Sequence, residues 1–418
     1  MPSGRFEMSG RFRCGGSIYL QVLTSSLLIT ILGLGSLAAV RLQMRSIRLA
    51  RDSAEARAAA LSALELGMLQ VKQNPNWRTA QPNGTWLDNK QLGTARFTLQ
   101  GTDPQDGSLS DSAYEPLVLT GIGTKGNACH KAQVILVPVV KPLAALSSCL
   151  AASGQIVIAN AKQITVVGAP LSTNDALRNS GKVDGNIEAQ TLNPQGDIPG
   201  TRTVPGSIKP MPDTGVFASY VSKATAVPYA STIEKVVLAP GCNPLGPTDP
   251  NGLYVIDTNG GNLTLRNCRI YGTLIILAGT HSVTIDNAMF MQNYRSDFPV
   301  LLVQGNVDFK LKSVTESLSE VACDTNFNPT GAPYKGTSDS DKSDEYPNEI
   351  RGLIHIKGSL TLWETTRTVG VVICEGTVTC QGTSTALYDT SLYANPPQGY
   401  TFVERMKVSP GTWKQIVD

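Results

Sequence analysis

The sequence has little charge, few aromatic side chains and very few histidines. Only 16% of its 418 residues are charged, 6% are aromatic and three are histidine. The formal net charge of +2 provides no basic surface of the kind that binds nucleic acid, so no nucleic-acid partner is predicted. The P-loop, G-x-S-x-G, H-E-x-x-H and C-x-x-C motifs are absent. Without the sites that these motifs build, we predict no catalytic residue, no metal site and no cofactor.

Charge is also missing from one long stretch near the N-terminus. The segment 17–40 holds 24 uncharged, mostly apolar residues, and Arg41 follows it directly. As a helix it measures about 36 Å, which is enough to cross a bilayer core of about 30 Å. A cleavable secretory signal has a shorter apolar core of about 7–15 residues, followed by its cleavage site. The segment is therefore predicted to stay in the mature protein as a membrane helix.

The helical pattern continues beyond the apolar segment. Residues 41–72 contain no proline and a single glycine, and they are rich in Ala, Leu, Arg and Glu. These residue types favour helix, and the apolar positions recur along one stripe. Pro75 ends the pattern. One helix is predicted over residues 17–74, apolar in its first half and amphipathic in its second.

A basic leader, a Gly-Gly-Ser junction and an uncleaved apolar helix together resemble the type IV pilin and pseudopilin family. The resemblance places Gly16 before the prepilin-peptidase cut, Ser17 as the first mature residue, and residues 1–16 in the leader. Gln21 stands where most members carry a glutamate that serves assembly, a departure more typical of minor subunits. The segment "ARDSAEARAAALSALELGM" further resembles PilX-type minor pilins. The family implies prepilin peptidase, the membrane and other pilin or pseudopilin subunits as partners.

Eight cysteines are spread over the chain. Processing after Gly16 removes Cys14 and leaves seven. In an exported β protein, scattered cysteines favour structural disulfides, and an odd number leaves at least one thiol unpaired. Their spacing does not define the pairing.

Residues 75–147 have the pattern of a small β-rich module. Alternating strands are predicted in "GTARFTLQG", "EPLVLTGIG" and "KAQVILVPVV". The acidic residues of the intervening "TDPQDGSLSD" fit no known calcium-loop spacing and are interpreted as a solvated turn.

Residues 148–405 repeat a unit made of two short strands joined at a glycine. The repeat is clearest around five glycines: Gly261, Gly279, Gly305, Gly358 and Gly376. Each strand is too short to bury its own face, which is typical of a stacked solenoid. No helical stretch separates the strands, so we predict a right-handed parallel β-helix. Insertions are expected near residues 193–230 and 322–350, and residues 406–418 are predicted as a C-terminal tail. The fold class is thus mainly β after the N-terminal helix.

Three outward-facing aspartates are candidates for a glycan or calcium surface. Asp257, Asp286 and Asp308 fall in three of the repeats, where stacking could align them with Arg266 and Arg269. Paired carboxylates in a groove could bind calcium or act as acid and base on a glycan. The simpler interpretation is that these residues mark strand ends. His130, His281 and His355 have no partner at metal-ligand spacing.

These patterns favour a non-enzymatic minor pilin-like or pseudopilin-like subunit. Its helix would hold it in the inner membrane, with an exported C-terminal domain, until it joins an extracellular filament. The β-helical head would serve adhesion, filament priming or contact with a surface or polysaccharide ligand. Two alternatives remain. One is a membrane-anchored polysaccharide-binding or polysaccharide-cleaving β-helix, and the other is a surface structural protein with an uncleaved signal anchor.

Overall fold

The computed structural model describes residues 15–313 and 316–416. Residues 1–14 of the predicted leader lie outside the described residues. The helices are α1 (Gly15–Gln73), α2 (Trp77–Ala80), α3 (Val216–Val221), α4 (Glu320–Cys323) and α5 (Ser391–Ala394), with a 3₁₀ turn at Ala144–Ser147. The strands are β1 (Gly84–Leu92), β2 (Ala95–Thr102), β3 (Leu117–Lys125), β4 (Ala128–Pro142), β5 (Leu150–Ala152), β6 (Ile156–Ile158), β7 (Gln163–Val167), β8 (Leu171–Thr173), β9 (Ala176–Asn179), β10 (Lys182–Asp184), β11 (Ile187–Glu188), β12 (Thr191–Pro194), β13 (Arg202–Thr203), β14 (Thr225–Ala226), β15 (Thr232–Glu234), β16 (Val237–Leu238), β17 (Leu253–Asp257), β18 (Leu263–Tyr271), β19 (Thr273–Gln292), β20 (Leu301–Leu311), β21 (Leu318–Ser319), β22 (Glu345–Tyr346), β23 (Glu349–Ile356), β24 (Leu360–Leu362), β25 (Thr365–Cys374), β26 (Val378–Cys380), β27 (Thr383–Leu387), β28 (Thr401–Val408) and β29 (Lys414–Ile416).

The predicted fold class is confirmed: a long N-terminal helix precedes a mainly β chain with a large parallel sheet. The chain divides into two compact units. The first contains residues 1–139 and 403–418, and the second contains residues 140–402. The second unit is therefore an insertion within the first along the chain.

The first unit is an antiparallel sheet with helix α1 packed on it. Strands β1, β2, β3, β4 and β28 pair in that order, and β29 also pairs with β4. Within the predicted tail, residues 406–408 thus belong to β28 and residues 414–416 to β29. The buried side chains of β2, β3 and β4 alternate with exposed ones, which gives the sheet one apolar face.

That face meets the helix through small residues. A Cβ at Gly121 would lie 2.2 Å from the carbonyl oxygen of Ala60, and one at Gly123 would lie 1.9 Å from that of Ala56. Such distances are far below van der Waals contact, so only glycine allows the two backbones to come this close. The alanine-rich half of α1 is consequently a packing surface.

Glu55 links α1 to the edge of this sheet. Its carboxylate accepts a hydrogen bond from Thr94 Oγ1 at 2.7 Å and one from Arg51 at 2.8 Å, and it pairs with Lys125 at 3.2 Å. These contacts, the Thr94 hydrogen bond first, lower the pKa of Glu55 to about 2. An unfolded glutamate titrates near about 4.3. Its contribution to stability is therefore present above that pH and is lost as the pH falls towards about 2.

We expect Glu55→Gln to reduce the acid sensitivity of the first unit. Unfolding of the full chain in detergent can be followed between pH 6 and pH 2 by tryptophan fluorescence, with Trp363→Phe in every variant so that the signal comes from the tryptophans of the first unit. The wild type should lose more stability than Glu55→Gln over this range. Glu65→Gln, at an exposed position of the same helix, should behave like the wild type. Parallel curves for wild type and Glu55→Gln would contradict the assignment.

The second unit is a solenoid of parallel coils, built on side chains that stack in register. One inward column contains Leu263, Val283, Val307, Leu360, Val378, Ile156 and Leu177. All seven are at most 1% exposed. Val307 and Phe309 likewise lie beside Leu360 and Leu362 in register. Alternation along each strand thus builds one continuous apolar core.

The glycine corners also stack. The amides of Gly358, Gly376 and Gly154 donate in turn to the carbonyl oxygens of Gly305, Gly358 and Gly376, each at 3.1 Å. A Cβ at Gly358 would lie 2.4 Å from the carbonyl oxygen of Gly305. Glycine is required here because successive coils turn in direct backbone contact.

The coils do not stack in chain order. Strands β5–β7 pair on one side with β25–β27, near the end of the solenoid, and on the other with β8–β10. The coils that begin at β14 stack through β17, β19, β20 and β23 to β25. Residues 204–224, which include α3, connect the two runs. This connection falls within the insertion predicted near residues 193–230.

The expectation of disulfides is wrong for the described cysteines, because all seven are free. Cys380 occupies an inward column between Leu362 and Ile158, and Cys268 and Cys374 are also buried in the solenoid core. Burial raises the pKa of the Cys268 and Cys374 thiols to about 12. These cysteines act as small apolar side chains.

The insertion near residues 322–350 folds around two buried charges. Glu320 is fully buried and accepts hydrogen bonds from the amides of Phe327 and Asp344 and from the Tyr346 hydroxyl. Arg269 is fully buried and donates to the carbonyl oxygens of Phe327, Ala332 and Pro333. The segment is thus an ordered lobe, more structured than the surface loop that its polar composition indicates.

Removal of Phe309 should destabilise the solenoid strongly. Its ring is fully buried, between Ile285 and Leu362 in register. Phe309→Ala should therefore cost about 3–5 kcal/mol through lost burial and the cavity that remains. Gln304→Ala, at an exposed position of the same strand, should cost less than about 0.5 kcal/mol. Chemical denaturation of the full chain measures both. Equal losses would contradict the stacked core.

Candidate functional site

The N-terminal half of α1 presents apolar side chains on all sides. Its large apolar residues are exposed, among them Tyr19 at 80%, Ile29 at 70% and Leu42 at 69%. By length and composition the helix over Ile18–Gln73 is sufficient to cross a membrane. The hydroxyls of five residues donate to backbone carbonyls of the same helix: Thr24, Ser25, Ser26, Thr30 and Ser36. Such internal pairing suits a helix surrounded by lipid or by other apolar helices.

The residues assigned to processing and assembly lie at the start of this helix. Gly16 and Ser17 are helical, while their side chains lie outside the described residues. Gln21 is exposed one turn further on. The structure thus places Gln21 on the surface of the apolar helix, where a neighbouring helix could reach it.

The three candidate aspartates do not form one site. Asp257 lies beside Leu277 in register, whereas Asp286 lies nine residues further along the strand that contains Leu277. The Asp257 carboxylate accepts a hydrogen bond from the Asn259 amide. Asp286 lies between Arg266 and Lys310 in register, with its carboxylate 3.8 Å from Arg266. The two-residue offset between Asp286 and Asp308 prevents them from stacking, since Asp308 lies beside Thr284. The Arg269 guanidinium lies instead among the backbone carbonyls of the lobe of residues 322–350, and not beside these aspartates.

Asp308 instead belongs to a small aromatic and charged cluster. Its carboxylate accepts a hydrogen bond from the Trp363 indole at 3.0 Å. The Lys310 ammonium lies 5.6 Å from the centre of the same ring, a cation–π distance. Trp363 remains 38% exposed. Asp308 and Lys310 thus hold the Trp363 indole in one orientation on the solenoid surface.

This cluster borders a shallow depression of about 490 Å³. The depression is lined by side chains and backbone from neighbouring coils: Lys162, Lys310, Trp363, Glu364, Thr365, Gln381, Gly382 and Thr383. An exposed indole flanked by hydrogen-bonding side chains can stack on a sugar ring and bond to its hydroxyls.

His355 is fully buried in the second unit. Its Nδ1 lies 2.9 Å from the Tyr400 hydroxyl and its Nε2 lies 3.0 Å from a Glu375 carboxylate oxygen. Burial lowers the pKa of His355, so the ring is neutral near pH 7. The interpretation of this histidine as structural agrees with its position.

The loop between β2 and β3 differs from the solvated turn that its sequence indicates. Asp103 is only 6% exposed, and one carboxylate oxygen each of Asp103, Asp106 and Glu115 lie within 4.8 Å of one another. Sequence spacing could not reveal this group, because Glu115 lies beyond the acidic stretch.

The sequence contains one weak indication that Trp363 is exposed. Trp363 follows the inward-facing Leu362, so the alternation along the strand places its side chain outward.

No protein-family model and no curated protein matches the chain. Among solved structures, the competence-associated pilin ComZ from Thermus thermophilus matches with 12% identity and a TM-score of 0.27, over 88% of this chain and 98% of that chain.

Two ice-binding proteins also match, each over 59% of this chain. One is from an Antarctic biological consortium, with 13% identity and a TM-score of 0.29 over 91% of that chain. The other is from the Antarctic ascomycete Antarctomyces psychrotrophicus, with 12% identity and a TM-score of 0.28 over 98% of that chain. With TM-scores below 0.3, none of these likenesses defines a family for the chain.

Proposed function

We propose that the chain is a non-enzymatic minor pilin-like subunit, related to the PilX type, that displays a β-solenoid head. The observation that carries the proposal is the division of α1 into two halves. The second half packs its alanine face against the first unit's own sheet. The first half leaves its apolar side chains exposed and needs either lipid or other apolar helices around it.

The prepilin-like junction explains how one helix can serve in both environments. Cleavage after Gly16 removes the basic leader, so that the apolar helix begins at Ser17 with only the positive charge of the new α-amino group. The helix then has no charged segment before it to hold it in the bilayer. It can pass from the inner membrane into a filament, where subunit helices pack together. Gln21 offers amide donors and an acceptor to a neighbouring subunit without burying a charge.

We expect the mature protein to begin at Ser17. Mass spectrometry of the N-terminal peptide from membranes and from sheared surface filaments tests this. Gly16→Leu should retain the leader and be absent from filaments, whereas Gly15→Ala should be processed normally. A mature protein that retains Met1, or one cut after Ala39, would contradict the pilin-like assignment. It would favour a surface protein with an ordinary anchor.

The Trp363 cluster favours a second candidate function, which is polysaccharide binding by the head. The cluster combines an exposed indole, an acidic side chain and a lysine on a concave surface, as a glycan subsite requires. This function is compatible with a pilin-like subunit, because a filament that carries the head could attach to a polysaccharide.

If the head binds glycans through this cluster, Trp363→Ala should weaken binding about fivefold or more. The stacking of a base on an aromatic side chain is worth about 1–3 kcal/mol in nucleic-acid complexes, and we take the same range for a sugar ring stacked on the indole. Trp413→Ala is the matched control, since Trp413 is also exposed, at 44%, but lies in the first unit. Binding to a glycan array that both variants retain would contradict the role of this cluster.

A further inference from the structure

We propose that the loop between β2 and β3 binds a calcium ion through the carboxylates of Asp103, Asp106 and Glu115. Nothing in the pilin-like assignment requires this site, and its test does not depend on that assignment.

The carboxylate of Asp103 is buried without a complete set of partners. Its Oδ1 accepts a hydrogen bond from the Gln105 amide at 2.7 Å. Its Oδ2 is inaccessible to solvent and has no hydrogen-bond donor among the described residues, and the same is true of Glu115 Oε2. An ionised carboxylate oxygen in such a position costs several kcal/mol unless a positive charge or a donor reaches it.

The charges around the loop are strongly unbalanced. One carboxylate oxygen from each of Asp103, Asp106 and Glu115 lies within 4.8 Å of the other two, so three acidic groups share a small volume. Asp106 and Asp111 lie beside each other at the exposed end of the group. The nearby cation is Arg78, whose Nη1 and Nη2 donate to the backbone carbonyls of Leu109 and Glu115. One guanidinium does not neutralise the negative charge of four carboxylates, so the loop can accept the positive charge of a divalent ion.

The available ligand atoms identify the class of ion. The three side chains offer only carboxylate oxygens. Hard cations prefer such oxygen ligands, whereas softer metals prefer nitrogen or sulfur ligands. The ligand atoms come from an irregular loop with uneven spacing. Calcium accepts six to eight oxygens in variable geometry, whereas magnesium demands near-ideal octahedral sites. The exposed Asp106 leaves the group open to solvent, so water can complete the coordination.

Calcium binding can be measured on the full chain in detergent. Thermal unfolding is followed by tryptophan fluorescence with calcium chloride, with magnesium chloride and with EGTA. Terbium luminescence excited through tryptophan gives a direct binding signal, because the Trp77 ring lies 4.5 Å from the Arg78 guanidinium, which itself donates to the Glu115 backbone carbonyl of the loop. We expect calcium to raise the unfolding midpoint of the wild type, with a Kd of about 10⁻⁴–10⁻³ M, the range of extracellular calcium modules.

Two variants and one control decide the outcome. Asp103→Asn and Asp106→Asn should each weaken calcium and terbium binding at least tenfold. Asp106 is exposed, so its variant remains informative if Asp103→Asn does not fold. Asp88→Asn changes an exposed carboxylate elsewhere in the first unit and should bind like the wild type.

The main competing explanation is a proton shared between Asp103 and Glu115. In that case Asp103→Asn would stabilise the protein in EGTA at pH 7, and calcium at about 10 mM, well above the expected Kd, would leave the wild-type midpoint unchanged. That result would overturn the proposal. An equal loss of binding in Asp88→Asn would overturn it as well, because it would indicate non-specific charge attraction.

Discussion

Each coil of the second unit depends on the coil beside it to cover its apolar side chains. Val307, for example, is covered by Val283 on one side and Leu360 on the other. A single coil offers two or three inward residues per strand, which is too few to form a core. Stability therefore arises only when coils repeat in exact-register columns, and glycine corners keep that register by allowing backbone contact. The outer surface is left free to vary, and the Trp363 cluster lies there.

The same kind of incomplete burial explains the first unit. Its sheet covers only the alanine face of α1, from Ala56 to Val71, and leaves the apolar residues before it uncovered. The two halves of the helix thus need different environments. The protein's own sheet covers the second half, and the first half needs lipid or neighbouring helices around it. Close contact through Gly121 and Gly123 fixes the junction between them. The first unit is therefore packed where its sheet covers the helix and leaves apolar surface uncovered towards the N-terminus.

Local patterns predicted those parts of the fold that local patterns determine. The alternation of Val307, Phe309 and Leu311 gave the inward face, and the spacing of Gly358 and Gly376 gave the corners. Non-local facts were inaccessible. The burial of Cys380 depends on which coils stack on it, and the separation of Asp257 from Asp308 depends on register. The partnership of Asp103 with Glu115 depends on how a loop closes. The sequence could not show that Asp308 and Lys310 contact the exposed indole of Trp363, because that contact depends on which coils are neighbours.

The non-sequential order of the coils has a consequence for biogenesis. Gln163 and Cys380, which touch in the finished solenoid, are separated by 217 residues of chain. During synthesis, the coil formed by β5–β7 has one open edge until β25–β27 are made. Pairing of such distant segments is intrinsically slow, and an open strand edge can recruit another chain. The last coil therefore completes the solenoid, and a chain truncated before that coil would expose two additional unpaired edges, one on β5–β7 and one on β23 and β24.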